Sequence, residues 1–314
     1  MLCVTEENHL CDGNVKSEDN VYIFSFLKHL FRPSNIGIII FFCLNAFMVV
    51  GMFAAGGQES LTLVITLYIL SIVISLSSTG EWFLGLMSGA RKMTRLDMRN
   101  RILPLVQRVY DKAIAKTPDM TKVINIKVMY DPNPNAFALG RHTICVTEGL
   151  FTSLPDEMIE GILAHEIAHL ACHHTDAQLL IGGGNCIVTF FITVMKLISG
   201  VITFIGSLFM INDGTRKSGC GCLFSLFGLL VSGIVWLWTK FCMLFLMWSS
   251  RANEYAADKY AMEIGYGYEL AAALDTIGTG VPQSSLLKAL YSTHPETNDR
   301  IGRLQAMGVP YSRY

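Results

Sequence analysis

Charge is scarce in this chain. Only 16% of its 314 residues are Asp, Glu, Lys or Arg, while 52% are hydrophobic. Soluble domains carry roughly 25% charged residues, and a mean hydropathy of +0.43 puts a large part of this one out of water. Net charge is −1, which gives no basic field for nucleic acid, so no nucleic-acid partner is expected. Paired cysteine spacing is also missing. The nine cysteines are odd in number, and Cys43, Cys172, Cys186, Cys222 and Cys242 fall in apolar or helical runs, which argues against a disulfide framework. Cys220 and Cys222 flank one glycine and read as small residues near a membrane surface, with metal chelation or a strained bridge as the alternatives. The first 20 residues are polar and acidic, without a basic n-region or a short apolar h-region, so no cleavable signal peptide is expected. Internal repeats and low-complexity tracts are absent.

Long uncharged runs are abundant. Ile36–Ala55 has 20 residues and Leu61–Thr79 has 19. Each crosses a hydrocarbon core about 30 Å thick at ~1.5 Å per residue. Gly56-Gly57-Gln58-Glu59-Ser60 joins them in an antiparallel hairpin. Lys28 and Arg32 precede the first run, Arg91, Lys92, Arg95, Arg99 and Arg101 follow the second, and the turn has no basic residue. The positive-inside rule then places both hairpin ends in the cytosol. Leu179–Ile211 and Gly221–Trp248 form a second apolar pair of 33 and 28 residues, with Lys196 and Lys240 as their only charges. These lysines are expected to snorkel near the cytosolic interface, with apolar helix continuing beyond them onto a soluble domain; two long tilted helices are the alternative.

The rest reads as soluble structure. Met98–Lys116 has helical spacing, Ile124–Tyr130 alternates like a strand, and Ala136–Leu139 and His142–Thr147 are short strand candidates around Gly140-Arg141. Asp156–Asp176 is helical, with Asp156 and Glu157 in the first turn where the helix dipole favours them. Ala252–Ile264, Tyr268–Thr276, Ser285–Leu290 and Glu296–Met307 also read as helices. The expected fold is a mainly α integral membrane protein. It has four transmembrane helices in two hairpins plus a cytosolic α+β domain with a small sheet. Its parts are a cytosolic tail 1–35, hairpin 36–79, a first cytosolic part 80–178, hairpin 179–248 and a second cytosolic part 249–314.

Chemistry concentrates at His165-Glu166-Ile167-Ala168-His169. Positions i and i+4 share a helix face, so the two imidazoles can bind one divalent metal, and Glu166 then lies where it can take a proton from metal-bound water. Two imidazoles leave zinc under-coordinated. A third histidine in the form H-E-x-x-H-x-x-G-x-x-H is excluded, because Cys172 and Thr175 occupy those positions. His173 and His174 are expected to be solvated. A better candidate is Glu254, with Asp258 one turn on to accept the remaining N–H of a ligand imidazole. An exposed acidic helix paired with Arg251 and Lys259 is the alternative, but Ala256-Ala257 suggests close helix packing. If Glu254 joins the histidines, the two apolar runs between them must return the chain to the same membrane side.

These residues resemble the HtpX-type membrane zinc metallopeptidases, relatives of the CaaX prenyl-protein endopeptidases. The resemblance covers roughly Ile36 to Met307. It rests on Asn135-Ala136-Phe137-Ala138, the His165–His169 motif, Arg251-Ala252-Asn253-Glu254-Tyr255-Ala256-Ala257-Asp258, His294-Pro295 and Arg300, and on the order of the apolar runs. It implies that the cytosolic parts 80–178 and 249–314 form one zincin-like (gluzincin) protease domain, with Zn²⁺ held by His165, His169 and Glu254 and with Glu166 as the catalytic base. Asn135, Ala136, Phe137 and Ala138 become an edge strand that pairs with extended substrate. His294 and Arg300 become oxyanion donors. Read without the family, His294-Pro295 is a turn before a helix. The implied activity is cleavage of membrane or misfolded proteins in quality control, in a bacterial inner membrane, with both termini and the active site cytosolic. The rivals are a prenyl-protein processing protease and a non-catalytic metal-binding scaffold or transporter. Too few spans weaken the first, and Glu166, not itself a ligand, has no purpose in the second.

Overall fold

The computed structural model describes residues 25–183, 185–212, 219–278 and 295–312. Residues 25–30 are helical. They lead through a short 3₁₀ turn, Pro33–Asn35, into α1 (Ile36–Phe53). A turn with Gly57 at φ 88° reverses the chain into α2 (Gln58–Ser75). Next come α3 (Ser78–Met87), β1 (Arg91–Lys92) and α4 (Leu96–Lys116). Strands β2 (Asn125–Met129), β3 (Ala136–Leu139) and β4 (Thr143–Thr147) follow. After them come α5 (Glu148–Ser153), α6 (Asp156–Ala171) and α7 (His174–Gly182). The long helices α8 (Cys186–Asn212) and α9 (Gly219–Glu263) precede α10 (Gly267–Gly278) and α11 (Thr297–Ala306). The expected N-terminal segment Met1–Asn20 and helix Ser285–Leu290 lie outside the described residues.

Among the described residues, four helical stretches are long and apolar enough to cross a membrane: Pro33–Gly51, Gln58–Ser75, His174–Leu208 and Cys222–Glu263. Their outward side chains are apolar, with Phe47, Leu63, Ile69, Phe204, Leu226 and Trp236 all exposed. In water such faces would be costly; in lipid they are matched to their solvent. Where α8 and α9 meet, Ser199 Oγ bonds Ser232 Oγ and the Gly228 carbonyl oxygen, so small residues bring the helices together. With 45 residues, α9 spans about 67 Å at ~1.5 Å per residue, more than twice a hydrocarbon core. It passes residue 248 unbroken, so the expected span and the expected Ala252–Ile264 helix are one rod. A continuous helix fixes Glu254 and Asp258 in orientation to the membrane as no loop can.

The sheet has order β1-β2-β4-β3, with β2 and β4 parallel and the outer pairs antiparallel. On it packs an apolar core shared with α4, α6 and α10. Helix α4 buries Met98, Ile102, Leu105, Val106, Val109 and Ala113 at helical spacing, one stripe that faces the core. Helix α6 is buried almost all round from Ile159 to Ala171 and forms the axis of the domain. Gly161 lets it approach α10: a Cβ there would stand 2.5 Å from the carbonyl carbon of Glu269 and clash with the Leu270 amide. Gly161→Ala is therefore expected to lower unfolding stability by about 1–3 kcal/mol. Denaturation of the detergent-solubilised protein checks this, and an unchanged midpoint would contradict the packing.

Candidate metal centre

Helix α6 presents His165 and His169 one turn apart, with their Nε2 atoms 3.1 Å from each other. Glu254, from α9, completes the group: its Oε2 lies 3.5 Å from His165 Nε2 and its Oε1 3.5 Å from His169 Nε2. The three residues are buried, and their ligand atoms all lie within 4.8 Å of one another. Two ring nitrogens face each other here beside a carboxylate. The outer nitrogen of each ring is already engaged. His165 Nδ1 lies 2.9 Å from Asp258 Oδ1, which places a proton on Nδ1 and makes Nε2 the nitrogen that would bind a metal once its own proton is displaced. His169 Nδ1 lies 3.0 Å from His174 Nδ1. With His169 Nδ1 as the donor to His174, both inner nitrogens face the space where a metal would sit. In a tetrahedral site with bonds of about 2.0–2.1 Å, ligand atoms stand roughly 3.3 Å apart. The observed 3.1, 3.5 and 3.5 Å fit that figure.

Arg300, buried on α11, clamps Asp258 with Nε at 2.8 Å and Nη2 at 2.6 Å. Its Nη1 lies 3.5 Å from Glu254 Oε2, and Nη2 passes 3.3 Å from the His165 ring. This geometry makes Arg300 a brace on Asp258 and hence on the His165 ring, with only Nη1 turned towards the Glu254 carboxylate. His294 lies outside the described residues.

Glu166 points to the sheet, where its Oε2 accepts the Ala138 N–H at 2.8 Å. Ala138 belongs to β3, the edge strand that includes Ala136 and Phe137 and pairs with β4 in register Ala136↔Val146, Phe137↔Cys145. Asn135 faces β4: its carbonyl oxygen accepts from Thr147 N at 2.9 Å and its own N–H bonds Thr147 Oγ1 at 2.8 Å. By alternation the backbone groups of Ala136 and Ala138 face away from β4. One outward donor therefore holds the carboxylate beside the histidines, and the neighbouring outward groups form an edge next to it.

His173 and His174 are not solvated, contrary to the sequence reading. Helix α6 ends at Ala171, and His173 takes a left-handed conformation, φ 55°, which restarts the chain as α7. The turn swings both rings inward. His174 backs His169, while His173 lies 2.7 Å from Asp176 Oδ2 and 3.0 Å from Ser25 Oγ. His174 thus does for His169 what Asp258 does for His165, and an unbroken helix through Asp176 could not have revealed it.

Elements at the ends of the long helices hold the centre. Asn253 Nδ2 donates to Asn35 Oδ1 at 2.9 Å and the Ile38 N–H to Ser249 Oγ at 3.3 Å, which pins the start of α1 to α9 beside Glu254. Ser75 Oγ donates to the Leu179 carbonyl oxygen and joins α2 to α7.

Four membrane-length helices and a buried His–His–Glu group with an adjacent carboxylate define a membrane metallopeptidase. Residues 99–308 match peptidase family M48, and the chain belongs to that family. It is 30% identical over 243 residues to the Protease HtpX homolog of Desulforapulum autotrophicum, across 69% of this chain and 71% of that protein, and is an HtpX-type member. It is also similar to the crystal structure of S. mikatae Ste24p, at 18% identity and a TM-score of 0.45, covering 91% of this chain and 66% of that one.

Proposed function

We propose that the chain is a zinc-dependent endopeptidase of the gluzincin type that cleaves membrane or misfolded proteins, in quality control, on the cytosolic face of a bacterial inner membrane. The observation that carries this reading is Glu166, a buried carboxylate one residue from a ligand histidine and hydrogen-bonded to an edge strand. A metal scaffold needs no such group. Two imidazoles and a carboxylate suit zinc, and His165, His169 and Glu254 would hold it with a position left for water. The cytosolic placement rests on the basic flanks of the first apolar hairpin.

When bound, zinc supplies a Lewis acid that acidifies water and polarises the scissile carbonyl. The protein's part is positional and protonic. Extended substrate adds along Asn135–Ala138, where the outward backbone groups are those of Ala136 and Ala138 on β3, and such pairing binds backbone with little demand on sequence. Glu166 takes the proton of the attacking water and passes it to the departing amine. Arg300, through Nη1, and His294 donate to the oxyanion, while Asp258 and His174 hold the two imidazoles in register.

Without metal, burial and the Arg300 charge oppose protonation of His165, but its hydrogen bonds to Asp258 and Glu254 win and raise its pKa to about 9. Zinc must displace that proton. Its apparent affinity for stripped protein should therefore rise roughly tenfold per pH unit up to the pKa and level off above it. Competition titrations between pH 6 and 10 check this, and a flat profile below pH 8 would contradict it.

The functional reading is tested by incubating the detergent-solubilised chain with an unfolded membrane protein and, separately, with a prenylated C-terminal peptide. Cleavage of the first, lost on chelation and restored by zinc, is expected. Cleavage of the prenylated peptide alone would favour the processing role, and cleavage of neither would overturn proteolysis.

A further inference from the structure

Helix α3 (Ser78–Met87) has its polarity inside out. Its exposed residues are 78, 79, 82, 83, 86 and 87, a single stripe at helical spacing. The last two turns of that stripe are Trp82, Phe83, Leu86 and Met87, exposed to 66%, 58%, 63% and 71%. The opposite face carries Glu81, turned towards the protein. Its Oε1 accepts from the His142 N–H and Thr143 Oγ1, both at 3.3 Å, and its Oε2 lies 3.3 Å from His142 Nδ1. Burial pushes the Glu81 carboxyl up, and the His142 contacts more than offset it, so its pKa is lowered and the group is ionised at neutral pH. A helix with a carboxylate inside and four large apolar side chains outside is not built for water.

Its place in the chain names the solvent. Ser77, which caps α3 by accepting the Thr79 N–H, is two residues beyond the last residue of α2, a bilayer-length helix. Arg91 and Lys92, both exposed, follow at the other end. Apolar side chains at the depth where a span ends, with cations next to them, match the boundary of acyl chains and anionic headgroups. We propose that α3 lies in the headgroup layer of the membrane and, through Glu81, anchors the substrate-binding edge of the sheet to the lipid surface. Glu81 grips the turn between β3 and β4. Gly140 (φ 59°) makes room for it, since a Cβ there would meet Glu81 Cγ at 2.5 Å. Strand β3 leads out of that turn to the Ala138 N–H that holds Glu166. Lipid depth, edge strand and catalytic carboxylate are thus joined by one short path. The consequence for substrates rests on the proteolytic reading above: segments just emerging from the bilayer meet the edge first. The lipid contact itself does not depend on proteolysis.

The test is a depth measurement with no cleavage step. The chain holds four tryptophans, Trp82, Trp236, Trp238 and Trp248. With the last three replaced by Phe, Trp82 reports alone; the difference between wild type and Trp82→Phe supplies the same signal should the triple variant fail to fold. In vesicles of phosphatidylcholine and phosphatidylglycerol, lipids brominated near the top of the acyl chain should quench Trp82 strongly, and aqueous iodide should quench it little. Quenching by iodide without quenching by bromolipid would overturn the proposal. So would resistance to both, which would mean that protein, such as a second copy, covers the stripe. The anchoring is read by hydrogen exchange over residues 136–143 in the same vesicles. With Trp82, Phe83, Leu86 and Met87 all changed to Ser, exchange there should speed up severalfold, and unchanged exchange would overturn the link through Glu81.

Discussion

Glu166→Gln is expected to slow peptide cleavage by about two to four orders of magnitude, the range a positioned general base contributes, and to leave zinc in place. The substitution keeps the side chain's shape, and its amide oxygen can still accept the Ala138 N–H that Glu166 accepts at 2.8 Å. His165, His169 and Glu254 are untouched, so zinc content and thermal stability should match wild type. Only the proton acceptor is lost. Cleavage of an unfolded substrate measured alongside zinc content separates the cases. A variant that retains metal and full activity would remove Glu166 from the mechanism, and one that loses both would make it structural.

Asp258→Ala is expected to do the opposite and damage fold and metal site together. Asp258 takes two hydrogen bonds from Arg300, at 2.8 and 2.6 Å, and lies 2.9 Å from His165 Nδ1. Its removal strands a buried guanidinium, and breaking a buried pair this way costs about 3–5 kcal/mol. It also frees the His165 ring, and loss of such an orienting partner weakens metal binding about 10–100-fold. Chemical denaturation and zinc competition would register the two losses separately. The Asp258→Ala, Arg300→Leu double variant should regain part of the stability, since no unpaired charge remains, but none of the zinc affinity. If zinc affinity returned with stability, Asp258 would act on the metal only through the fold.

Sequence alone made much of this legible, unevenly. The candidate ligands His165 and His169 could be read because helical spacing places i and i+4 on one face. Glu254 and Asp258 could be paired with them because an even number of apolar runs intervenes. The strand Ala136–Leu139 stood out between its Pro and Gly turns. Local pattern could not show that β2 and β4 are parallel neighbours, with β3 left at the edge. The inward turn of His173 and His174 was hidden because it hinges on one left-handed residue that is not glycine. Helix α3 was hidden for a different reason. Its start was absorbed into the apolar run before it, and its reversed polarity defeats a rule that puts apolar faces inside.

Two helices separated by an apolar hairpin bring the candidate ligand atoms of His165, His169 and Glu254 within 4.8 Å of one another. Whether they hold one zinc is read most directly by X-ray absorption at the zinc K-edge, on purified Glu166→Gln protein with and without Glu254→Ala. One zinc per chain is expected, with two imidazole nitrogens and carboxylate and water oxygens at about 2.0–2.1 Å. Glu254→Ala should lose the metal or replace the carboxylate signal with water. A sulfur shell, or a spectrum and zinc content unchanged by Glu254→Ala, would contradict the account.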